Sequence, residues 1–198
     1  LKQKLAGPPS RRPRVSAVAP MGKVRFVVQS REDGAEESFT VEVHEDWAPR
    51  GAERFLDLVR DNYFTEVRFH RVVEGFMAQF GLAADPDDYA KWGTRPIKDD
   101  PVKESNTRGR LSFAMRGPDT RSCQIFINYG DNSSLDEQGF SPFAEIIEGM
   151  DVVDKFYGGY GDYPPRGSGP EPDKIKSKGM AYLKDFPKLS YIKAAELF

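Results

Sequence analysis

Alternation of apolar and polar positions is clearest at Phe39, Val41 and Val43. With the β-branched run at 23–28, and the polar stretch 30–37 around Gly34 between the two, it predicts a β-hairpin. The period then changes. Asp46-Trp47-Ala48-Pro49 offers a capping-type residue and a proline near a first helical turn, and Ala52, Phe55, Leu56, Leu58 and Val59 recur at helical spacing, so an amphipathic helix is expected from Ala48 to Arg60. Strand character returns at 67–73 and 76–80, separated by Glu74-Gly75, then at 110–115 and 124–128 around a turn-rich 116–120, and at 143–147. A second helix is expected over 150–156, where Val152, Val153 and Phe156 sit at helical offsets. Residues 83–108 are rich in Asp, Pro, Lys and Gly and read as a surface excursion with one short turn at 89–92, while 181–198 reads as a strand remnant and a short helix packed on the body. Six or more short strands with two helices give a mainly β fold, an antiparallel barrel or sandwich with helices at its ends.

Composition narrows this to one core. A chain of 198 residues, 38% hydrophobic with 14 Phe and 8 Tyr, suits a single domain with roughly 30 to 50 residues left for tails or loops. No apolar run approaches the roughly 18 to 20 residues of a membrane span. The net charge of -2 argues against nucleic-acid binding through bulk charge. Charge is unevenly spread, however: eight of the 29 basic residues precede the first acid, Glu32, leaving 21 basic against 31 acidic residues beyond it. The division expected is a basic leader (1–22), a body (23–183) and a C-terminal extension (184–198). The leader reads as the remnant of a processed precursor, favouring an organelle or secretory-pathway lumen over the cytoplasm; Asn132-Ser133-Ser134 is a glycosylation sequon that matters only in a secretory compartment. Cys123 is the only cysteine, and His44 and His70 are the only histidines, so neither a disulfide nor a metal site of the usual ligands is expected. Residues 157–165 resemble a Gly-rich phosphate loop only superficially, since no Lys-Ser/Thr follows.

The densest chemistry lies in Phe69-His70-Arg71-Val72-Val73-Glu74-Gly75-Phe76-Met77-Ala78-Gln79. Strand alternation puts Phe69 and Arg71 on one face with His70 on the other, and places Met77 and Gln79 together. An arginine, a glutamine and a thioether among aromatic rings suit an open pocket better than a closed core, because a guanidinium is almost never buried without partners. This stretch resembles the Phe-His-Arg-x-x-x-Gly-Phe-Met-x-Gln signature of the cyclophilins, peptidyl-prolyl cis–trans isomerases. Residues 109–127 resemble the family's second signature, through Gly109, Leu111, Ser112, Ala114, Gly117, Pro118, Thr120, Gln124, Phe126 and Ile127. Leu135-Asp136, Pro142-Phe143-Ala144 and the run 148–153 fit a third piece.

The resemblance implies a closed eight-stranded antiparallel barrel capped by two helices, with a substrate groove on its outer face. It implies Arg71 as the catalytic arginine, with His70 beside it and Gln79 assisting. Phe76, Met77, Phe126 and Leu135 would wall a proline pocket, with Gln124 along the groove, Ala114 at its floor and Met115 contributing backbone. Met115 stands where many members have Asn, Ser134 where they have Trp, and Phe140 in place of a groove-lining His, which implies weak inhibition by cyclosporin-type ligands. No cofactor is implied, and the expected partners are proline-containing polypeptides. Two rival readings remain at this point. One is a scaffold that keeps the fold and joins an assembly through its tail or C-terminal extension. The other is a hydrolase built on Ser168 or Cys123, though Gly167-Ser168-Gly169 lacks the Gly-x-Ser-x-Gly elbow.

Overall fold

The computed structural model describes residues 22–30 and 34–198; the leader expected before Lys23 lies, up to residue 21, outside them. The hairpin forms as its alternation requires. Strand β1 (Gly22–Gln29) pairs antiparallel with β2 (Glu36–Val43), Phe26 opposite Phe39 and Val24 opposite Val41, so that the apolar set of both strands faces one side. The other strands are β3 (Arg71–Val73), β4 (Met77–Phe80), β5 (Arg110–Phe113), β6 (Ile125–Asn128), β7 (Pro142–Glu148) and β8 (Tyr191–Leu197), in the order β3-β4-β6-β5-β7-β2-β1-β8. All pairings are antiparallel.

The sheet curls until its edges meet. Closure is made by a single bridge rather than a ladder: Arg68 pairs with Tyr191, and backbone bonds run from Glu66 N to Ile192 O (2.8 Å), Ile192 N to Val67 O (2.9 Å) and Phe69 N to Ser190 O (2.9 Å). Residues 67–70 therefore contribute one bridge instead of the strand expected from residue 67. At the other terminus, the expected strand remnant is a full strand, β8, hydrogen-bonded along β1.

Helix α1 (Pro49–Arg60) lies where the periodicity puts it, burying Ala52, Phe55, Leu56, Leu58 and Val59 against the barrel. Phe55 meets Phe26 (6.1 Å between centroids) and Phe143 (5.2 Å), and the aromatic core continues through Phe64, Phe69, Phe80 and Phe113. Its N-terminus is not capped by Asp46. Ala48 is the N-cap, and the free N–H groups of Arg50 and Gly51 donate to the buried carboxylate of Asp100 at 3.1 and 2.9 Å. Asp100 also holds the buried Arg121. Residues 83–108 are thus only partly a surface excursion, since Asp100 and Asn106 are buried within it.

The second expected helix is a single turn, α3 (Met150–Val153), and the short turn near Tyr89 is helix α2 (Pro86–Trp92). Two further helices, α4 (Pro172–Lys178) and α5 (Met180–Leu183), pack on each other, and α4 packs on α2. Ile175, Leu183, Leu82 and Leu189 form a second small core there, with Tyr160, Tyr182 and Phe186 against it.

Candidate active site

Register brings the dispersed residues of the signatures together. Arg71 on β3 lies opposite Gln79 on β4, and Gln79 lies opposite Phe126 on β6. The three form a row across neighbouring strands, on the face away from the core; Ala78, Phe80, Ile125 and Ile127 point the other way and belong to it. Beyond the strands, Ala114 N donates to Gln124 O (2.9 Å), which sets Ala114 beside the same row.

These side chains line an open groove of about 390 Å³. Its apolar part is formed by Phe76, Met77, Phe126, Leu135 and Phe140, and its polar part includes Arg71, Gln79 and Gln124, with Ala114 and Met115 continuing it. Phe126 meets Phe140 edge-on at 5.7 Å. Phe76 is held by its backbone carbonyl, which accepts from Tyr129 N (2.9 Å) and Asn132 Nδ2 (2.8 Å). The wall carrying Leu135 and Phe140 hangs on the fully buried Asn106, whose Nδ2 donates to Asp136 Oδ1 (2.7 Å) and Phe140 O (2.8 Å), while its Oδ1 accepts from Ser112 Oγ (2.7 Å). Burial would raise the Asp136 carboxyl, but bonds from Ser105 and Asn106 outweigh it and hold its pKa below the ordinary value.

Arg71 is gripped on three of its five N–H groups. Nε and Nη2 donate to the two oxygens of Asp162 at 2.8 and 3.0 Å, and Nη1 donates to Gln79 Oε1 at 3.2 Å. Gln79 Nε2 in turn donates to Gln124 Oε1 (3.0 Å). Phe76 and Tyr163 flank the guanidinium, with ring centroids 5.9 and 5.7 Å from Cζ.

His70 is placed differently from its neighbour. It is 2% exposed, does not line the groove, and neither ring nitrogen has a hydrogen-bond partner of acceptable geometry. Burial, helped by the charges of Arg71 and Lys176 and opposed only by the Arg68 backbone, lowers its pKa to about 3. His70 therefore sits enclosed behind the groove, beside Arg71 in sequence but apart from the groove lining. Phe69, expected on the face of Arg71, is in the core against Phe80 and Phe156, because the strand begins only at Arg71. Ser134 is exposed and lies outside the groove, whereas Phe140 lines it.

Sequence reasoning missed two parts of the site. One is Asp162 with Tyr163, from the Gly/Pro-rich stretch after α3. The other is the lobe formed by Tyr89, Arg116, Thr120, Ser122 and Lys176. No motif marks either, though the Gly-rich 158–169 stretch signalled a tightly bent chain. Among the described residues, the groove lining includes no His, Cys, Asp or Glu; the nearest carboxylate to Arg71 in the site is Asp162, engaged in its bidentate pair. Among the described residues, Glu42, His44 and Glu145 bring ligand-type atoms within 4.8 Å of one another, but outside the groove, with His44 stacked on Trp47.

Comparison with known proteins gives the same picture. The family described as cyclophilin type peptidyl-prolyl cis-trans isomerase/CLD matches residues 26–177. Peptidyl-prolyl cis-trans isomerase B of Escherichia coli (strain K12) is 38% identical over 127 residues, covering 60% of this chain and 77% of the relative. The peptidyl-prolyl cis-trans isomerase-like 3 of Dictyostelium discoideum is 39% identical over 120 residues, covering 58% and 72%. A crystal structure of a Cryptosporidium parvum cyclophilin type isomerase, obtained in the presence of the dipeptide Ala-Pro, shares the fold with a TM-score of 0.65 at 22% identity, covering 89% of this chain and 98% of that one. With the family match running from the first strand into α4, the chain belongs to the cyclophilin-type peptidyl-prolyl cis-trans isomerases.

Proposed function

We propose that this protein is a peptidyl-prolyl cis–trans isomerase (EC 5.2.1.8) that turns over X-Pro bonds of protein substrates and so assists folding, with Arg71 as its catalytic residue. The observation that carries the reading is the meeting of a held guanidinium and an apolar pocket in one groove. Rotation about an X-Pro bond must break amide resonance, a barrier of roughly 18 to 20 kcal/mol, and makes or cuts no other bond. Stabilising the twisted state is therefore sufficient.

Phe76, Met77, Phe126 and Leu135 receive the proline ring, with Phe140 closing the side. Its three ring methylenes contribute about 2 kcal/mol on burial, enough to seat the ring without trapping it. When resonance is lost, the prolyl nitrogen becomes pyramidal and basic, and a cation donating toward it binds the twisted state better than the planar one. The two N–H groups of Arg71 left by Asp162 and Gln79, one on Nη1 and one on Nη2, suit that task. Gln79, linked to Gln124, fixes the guanidinium rather than touching the reacting nitrogen. His70 takes no part as an acid or base. The mechanism needs no cofactor.

A purely proline-binding scaffold need not keep a guanidinium held beside the pocket, which favours catalysis. Titrating an Ala-Pro-containing peptide into labelled protein tests the groove: shifts at the Met77 methyl and the Phe126 ring are expected, with far weaker ones from an Ala-Ala analogue. Equal responses to both peptides would count against the proline pocket.

A further inference from the structure

The segment after α3 is built to deliver a carboxylate. Tyr157, Tyr160, Phe186 and Tyr182 meet edge-on in succession, with centroids 5.1 to 5.3 Å apart, tying the stretch to the small second core. Gly169 N donates to Asp162 O and Ser168 N to Tyr160 O, each at 2.9 Å, so the chain folds back on itself around residue 162. Gly167 passes so close that a Cβ there would lie 2.0 Å from Asp162 O, which excludes any other residue without rearrangement. The Asp162 side chain is 12% exposed and accepts from Tyr163 N (2.8 Å) as well as from Arg71, and Arg166 Nε stands 3.2 Å from its second oxygen. Burial would raise its pKa, but the Arg71 and Tyr163 bonds and the charges of Arg71 and Arg166 prevail and hold it below the ordinary carboxylate value.

We propose that Asp162 is a positioning residue for the isomerase reaction: its bidentate grip sets the plane of the Arg71 guanidinium so that the remaining N–H groups meet the twisted imide. The inference rests on the catalytic reading of Arg71. A guanidinium on a flexible stem loses rotamer freedom when it engages a substrate. Here that loss is taken on folding, with two charge-assisted bonds on the Nε–Nη2 edge and one amide bond on Nη1. Pairing with Asp162 does not strip the groove of positive charge, because Arg116 and Lys176 also line it. Fixing the donor improves the twisted state more than the planar one, so the effect falls on kcat rather than KM.

The test compares the native chain with Asp162→Asn, Asp162→Ala and Arg71→Ala, using exchange spectroscopy on an Ala-Pro-containing peptide and the Nε–H resonance of Arg71. Both Asp162 variants are expected to lower kcat by roughly 10- to 100-fold, the equivalent of one or two charge-assisted bonds, with KM within about twofold and the Arg71 resonance moved toward that of exposed arginines. A kcat within twofold of native despite a moved resonance overturns the proposal. So does a rise in kcat, which would make Asp162 a brake. A third contrary result needs no variant: an Arg71 Nε–H in the native chain that exchanges with water as fast as exposed arginines. A native chain without activity, or one matched by Arg71→Ala, tells instead against the catalytic reading on which the proposal rests.

Discussion

Replacing Asp100 by alanine removes the acceptor that joins the start of α1 to the barrel. Its carboxylate is fully buried and takes bonds from Arg50 N (3.1 Å), Gly51 N (2.9 Å) and Arg121 Nη1 and Nη2 (both 3.1 Å). Arg121 is itself 1% exposed, so Asp100→Ala leaves an enclosed guanidinium short of its main partner and two helix N–H groups without an acceptor. Removing one member of a buried pair costs about 3 to 5 kcal/mol. The lower end applies here, because Arg121 keeps Asp99 Oδ1 (3.1 Å) and the Lys98 carbonyl. In urea, a loss of about 3 kcal/mol with a slope of about 2 kcal/mol/M lowers the midpoint by about 1.5 M. Adding Arg121→Met to Asp100→Ala is expected to recover part of the loss, since no unpaired charge then remains buried. A single-variant loss under about 1 kcal/mol, or strict additivity of the two substitutions, would refute the reasoning.

Two other predictions concern the site. His70 has a folded pKa near 3 against about 6.5 when unfolded, so the unfolded chain binds the proton first. The stability this gives is complete above about pH 6.5 and declines by up to about 1.4 kcal/mol per unit as pH falls toward 3. Between pH 7 and 5 the native chain should therefore lose about 2 kcal/mol more than His70→Leu in urea unfolding; parallel losses would contradict the neutral, buried assignment. Cyclosporin-type ligands are expected to inhibit weakly, because Phe140 lines the groove and Ser134 does not; nanomolar inhibition in a peptide isomerisation assay would refute this.

Local patterns were legible where burial on one face dictated them. Phe39, Val41 and Val43 announced the hairpin, and Phe55, Leu56 and Val59 announced α1, because each buries a stripe of fixed period. The groove residues were found through the two signatures, and their spacing agreed with the cross-strand register later seen between Gln79 and Phe126. What remained hidden depends on partners distant in sequence. Asp46 looked like the helix cap, yet Asp100, 50 positions after the acceptor-seeking Arg50, performs that task. Asp162 lies 91 positions from Arg71 in a stretch whose composition signals only bending. Alternation misled at Phe69 because it assumed a strand already begun, while backbone bonds to residues 190 and 192 leave 67–70 outside any ladder.

The central claim is that Arg71, beside an apolar pocket, accelerates rotation of the X-Pro bond. Exchange spectroscopy on an Ala-Pro-containing peptide measures that rotation directly, without a coupled protease. The native chain should raise the cis–trans exchange rate at substoichiometric concentration, and Arg71→Ala, with unchanged folding, should lose at least about 10-fold of that acceleration, the worth of one hydrogen bond from a charged donor. A native chain that leaves the exchange rate at its uncatalysed value, or an Arg71→Ala variant as fast as native, would contradict the account.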